Sequence, residues 1–74
     1  MSELSNEQKI QIIQTHIQTV VYNGFNLEVS ILEEKAKNTP DQTVLTNLYA
    51  QSSDCERQIN ALNTELAKLQ VPSA

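Results

Sequence analysis

Thr39-Pro40-Asp41-Gln42 sits at the midpoint of a 74-residue chain and reads as the start of a helix. The Thr39 hydroxyl can accept from the backbone amide of Gln42, the Gln42 side chain can reach back, and Pro40 falls at the first helical position, where its missing N–H costs nothing. If a helix begins at Pro40, the preceding segment ends near Asn38 and the chain turns back around Thr39. That fold carries an arithmetic test: apolar residues that meet across an antiparallel seam must have numbers with a constant sum.

Before the turn, Ile10, Ile13, Ile17, Val20, Gly24, Leu27 and Ile31 recur at alternating steps of three and four; after it, so do Leu45, Leu48, Ser52, Cys55, Ile59, Leu62, Leu66 and Leu69. This is the period of a narrow apolar stripe on an α-helix. Pairing Ile10 with Leu69, Ile13 with Leu66, Ile17 with Leu62, Val20 with Ile59, Gly24 with Cys55, Leu27 with Ser52 and Ile31 with Leu48 gives one sum, 79, throughout. The seam is expected to end near Ile31 and Leu48. Beyond it Glu34 opposes Leu45, at a place where a carboxylate should reach solvent.

Ser5-Asn6-Glu7-Gln8 forms a capping box for the first helix, with Ser5 and Gln8 as the reciprocal pair. The expected fold is all-α: an antiparallel two-helix hairpin with a coiled-coil-like seam, assembling into a four-helix bundle. It is expected to be a single helical-hairpin domain over residues 1–74, with helix 1 at about 6–38, a turn at 38–40, helix 2 at about 40–70 and a frayed tail at 71–74. The tail follows from Pro72, which disfavours helix at the residue before it. Each helix would be about 30 residues and ~45 Å long.

One segment carries a competing signal. Tyr22-Asn23-Gly24-Phe25 is a tight-hairpin sequence flanked by strand formers, with Phe25, Leu27 and Val29 alternating with polar residues. A two-stranded ribbon is marginal on its own and would discard the constant-sum register, so continuous helix is preferred. Gly24 weakens such a helix by ~1 kcal/mol relative to Ala, and a mild kink or fraying is expected there. Gly24 facing Cys55 and Leu27 facing Ser52 give the hairpin a waist of small side chains. The waist either lets the helices pack tightly or forms a notch for a partner's side chain.

A chain this short buries little apolar surface, which favours self-association. The single Cys55 allows no internal disulfide, and no Cys/His cluster offers a zinc staple, so a reducing, cytoplasmic setting is expected. No secretory signal is read at Met1-Ser2-Glu3-Leu4-Ser5. The longest apolar run, Val20-Val21-Tyr22, falls far short of the ~20 residues a membrane span needs, so no membrane association is expected. A net charge of −4 with five scattered Lys and Arg residues provides no basic stripe for nucleic acid. Ile10 to Leu27 holds no charged residue at all, which suggests reduced contact with water along that stretch.

A second stripe bears on function. Tyr22, Phe25, Val29, Leu32 and Ala36 also recur at steps of three and four, on the side of helix 1 away from helix 2, whereas the outward positions of helix 2 (Thr46, Ala50, Ser53, Arg57, Asn60, Thr64, Ala67) form no such stripe. Contiguous exposed apolar surface marks a contact site, so Tyr22, Phe25, Val29 and Leu32 are the candidate partner-binding residues, for a second copy or for another protein.

Catalysis is not expected. His16 has no Cys, Asp or Glu three or four positions away to share a proton or a metal, and Cys55 lies on the apolar face as a small hydrophobe. Glu33-Glu34-Lys35-Ala36-Lys37 reads as a solvated face, Asp54-Cys55-Glu56 lacks the spacing of a metal site, and one glycine cannot build a phosphate loop. No cofactor and no metal are called for. The expected function is a small non-enzymatic protein-binding module (an assembly factor, adaptor or inhibitor) acting through the outer face of helix 1. The alternative is a purely structural, self-assembling coiled-coil oligomer.

Overall fold

The computed structural model describes residues 3–70, and two antiparallel helices make up nearly all of them: α1 spans Asn6–Lys35 and α2 spans Gln42–Gln70. No strand occurs among the described residues, and the expected frayed tail lies outside them. α1 starts as its sequence dictates. Ser5 Oγ accepts from Gln8 N–H at 3.1 Å, and Ser5 N–H donates to Gln8 Oε1 at 2.8 Å, closing the capping box.

All fifteen seam residues named above are buried or half-buried, and most of the positions between them are exposed. An ideal Cβ built on Gly24 would lie 3.9 Å from Cys55 Cβ, so these two residues face each other as the sum of 79 requires. The helix is unbroken through Asn23 and Gly24, and Gly24 has no positive φ, which rules out the tight turn. The 3.9 Å separation is ordinary van der Waals contact. The waist therefore has room for a methyl group, and the helices do not approach so closely that glycine is required.

The turn differs from expectation. α1 ends at Lys35 rather than near residue 38, with the Ala36 N–H on Leu32 O at 3.1 Å and the Lys37 N–H on Glu34 O at 3.3 Å. α2 begins at Gln42, not Pro40. Its cap is Asp41: the Asp41 carbonyl takes the Leu45 N–H at 3.0 Å, and Oδ1 takes the N–H groups of Thr43 at 2.9 Å and Val44 at 3.3 Å. Two effects favour Asp41 over Thr39 as the cap. An aspartate caps better than a threonine, and the Glu34 carboxylate fixes the Asp41 N–H.

The molecule is a rod of 58 × 20 × 18 Å with a radius of gyration of 17.1 Å, against about 11 Å for a compact chain of this length. Two cylinders touching along a line enclose nothing between them. Among the described residues the only buried apolar side chains are accordingly Ile31 and Leu45, both beside the turn, where the loop supplies a third wall.

Candidate protein-contact surface

The outward stripe of α1 is laid out as its spacing predicts. Tyr22 is 69 % exposed, Phe25 64 % and Leu32 67 %, the most exposed large apolar side chains among the described residues. Val29 is half-buried. It is short and branched at Cβ, and it lies one turn from both Phe25 and Leu32, whose larger, more exposed side chains flank it along the stripe. The outward positions of α2 are all exposed and carry no large apolar side chain.

Val21, half exposed, extends the patch toward α2, where it joins Gly24, Phe25, Cys55 and Ile59 in an apolar groove along one flank of the waist. Glu28 and Glu56 also line that groove. The opposite flank is polar, formed by Asn23, Asn26, Gln51, Asp54 and Gln58 around Leu27. The sequence reading missed Val21 as part of the patch because it lies between the two stripes. Its signal was the unbroken run Val20-Val21-Tyr22, which covers the seam, the flank and the outer face in three residues.

Exposed Tyr49 was also missed. It sits on α2 beneath the Lys35 ammonium, 5.7 Å from the ring centroid, a cation–π contact between the helices. Near the open end, Leu4 and Ile12 are about half exposed and share a shallow depression with His16, Gln8 and Gln11. Gln11, Gln14 and Gln18 are exposed in the hairpin, so the uncharged stretch is not withdrawn from water within the single chain. The Thr15 and Thr19 hydroxyls bond back to the carbonyls of Gln11 and Thr15, at 3.0 and 3.1 Å, which partly satisfies that face locally.

Glu34 corrects the expectation of a solvated carboxylate. It is only 6 % exposed. Its Oε2 accepts the Asp41 N–H at 2.9 Å, and its Oε1 pairs with Lys37 Nζ at 3.0 Å. The Asp41 amide, then Lys37, hold its carboxyl below the usual carboxylate range, outweighing the opposing effect of desolvation. The ion pair within this charged run is therefore Glu34 with Lys37, and it staples the turn. The other ion pairs among the described residues, Asp54 with Arg57 and Glu65 with Lys68, are exposed pairs one turn apart on α2.

Among the described residues no cluster of His, Cys, Asp or Glu could hold a metal ion, and no helix is long and apolar enough to cross a membrane. His16 is exposed and Cys55 is a free thiol, half-buried in the seam. Comparison with protein-family models, with curated proteins and with solved structures returned no match.

Proposed function

We propose that this chain is a small, non-catalytic protein-binding module of the cytoplasm, an assembly factor, adaptor or inhibitor that works through the outer face of α1. The observation that carries this reading is the placement of Tyr22, Phe25 and Leu32, each about two-thirds exposed, around the half-buried Val29 on the face opposite the seam. Burying one large apolar side chain contributes about 1.5–3 kcal/mol, so three or four such anchors suffice for helix-on-helix recognition. The polar residues on either side would set the register.

Pulldown from the native source tests the proposal. Wild type should retain a partner that Phe25→Glu loses at unchanged helicity; equal retention by both would remove the stripe from the binding surface. A structural oligomer built of copies, closing into a four-helix bundle, is the second reading. The observation favouring it is the half-open seam, which buries only Ile31 and Leu45 among its apolar residues.

A further inference from the structure

The hairpin exposes 5911 Å², whereas a compact monomer of this mass exposes about 4,600 Å². The excess of about 1,300 Å² exceeds the ~800 Å² per partner that a stable dimer buries. A chain with two buried apolar side chains among its described residues needs this cover whenever it is folded, and a second copy is the one partner always present with it.

The spacing of the stripe is self-complementary. Tyr22, Phe25, Val29 and Leu32 follow steps of three, four and three, so two antiparallel copies align with numbers summing to 54. Tyr22 then meets Leu32, and Phe25 meets Val29, each pair occurring twice about a two-fold axis beside residue 27. The surface relief agrees with this register: Phe25 is 64 % exposed and stands proud, while Val29 is half-buried and recessed. Facing them seats a knob in a hollow on each side of the axis. α2 has no outward stripe and would lie outside, leaving the two first helices at the centre of a four-helix assembly.

We propose that the outward stripe of α1 docks antiparallel on the same stripe of a second copy, Phe25 of each chain seated over Val29 of the other. The inference rests on the stripe being a protein-contact surface and supplies its occupant; a foreign helix reaches the stripe in competition with the copy. The register brings the two Glu28 side chains to the same edge beside the axis, and Glu28 has no ion-pair partner among the described residues. Glu28→Gln should therefore tighten the dimer about twofold. A cationic foreign helix would be weakened by the same change.

The test combines sedimentation equilibrium with site-directed cross-linking in a Cys55→Ser background. The expected results are a wild-type dimer at micromolar concentration and a monomeric Phe25→Glu of unchanged helicity. A short bis-maleimide should join a mixture of Tyr22→Cys and Leu32→Cys chains efficiently, and either variant alone poorly. If Phe25→Glu unfolds, the cross-linking pattern decides alone. A wild type that stays monomeric, or efficient cross-linking of either variant alone, overturns the self-pairing but leaves the stripe free for another protein. A dimer that survives Phe25→Glu with helicity intact overturns both the pairing and the contact surface.

Discussion

The turn end and the waist of this hairpin share one seam and one register, yet they are built differently. At the turn, Ile31 and Leu45 are sealed, and Glu34 ties the last turn of α1 to the cap of α2. At the waist, Gly24, Ser52 and Cys55 are half-buried, with an open groove on each flank. The difference shows what a two-helix fold can and cannot do. The helices supply two walls, and the loop supplies a third only within about one helical turn of itself. Beyond that reach, apolar burial needs another chain.

The strongest way to break this comparison is to truncate the sealed pair. Leu45→Ala or Ile31→Ala should cost ~2–4 kcal/mol in chemical denaturation, because each empties a closed site. Losses no greater than those at the half-open seam would mean the turn end is not a core. Next comes Glu34→Gln, which removes the anion that holds the Asp41 amide and Lys37. Its sign follows from the depressed carboxyl: the stabilisation is fully present above the ordinary glutamate value of about 4.3 and is lost as pH falls through the lower folded value. Wild type should show this acid limb in its stability profile, and Glu34→Gln should be less stable at neutral pH with the limb flattened.

Along the half-open seam, Ile17→Ala and Leu62→Ala should each cost ~1–2 kcal/mol, less than at the turn because water already reaches these positions. They should also couple in a double-mutant cycle, since they are paired in the register. Simple additivity would contradict that pairing. The smallest effect is expected at the waist and has the opposite sign. Gly24→Ala places a methyl 3.9 Å from Cys55 Cβ and should stabilise the hairpin by ~0.5–1 kcal/mol through helix propensity. Destabilisation would show that the waist is tighter than this distance implies.

The seam was legible because helical spacing and a constant sum constrain each other, and fourteen positions, in seven pairs, satisfied both. Ser5 with Gln8 was legible because a capping box is local. The turn was not, because Thr39 and Asp41 both make acceptable caps. The choice between them depends on the stronger capping of aspartate and on a carboxylate seven residues earlier that binds the Asp41 amide. Glu34 had a signal that can be recognised in hindsight: it continues the seam spacing from Leu27 by seven residues. An acidic residue at a seam position just before a loop calls for a backbone donor. The outward stripe was legible as a pattern, but the depth of Val29 and the role of Val21 depend on neighbouring side chains whose relief no spacing rule encodes.

The central claim, that one chain folds back so that Ile17 packs on Leu62 in the register summing to 79, is tested most directly by nuclear Overhauser spectroscopy with isotope filtering on a one-to-one mixture of labelled and unlabelled chains. Methyl contacts between Ile17 and Leu62, and between Ile10 and Leu69, should appear within a chain and be absent from the interchain-filtered spectrum. Their absence within the chain, or their appearance only between chains, would contradict the hairpin.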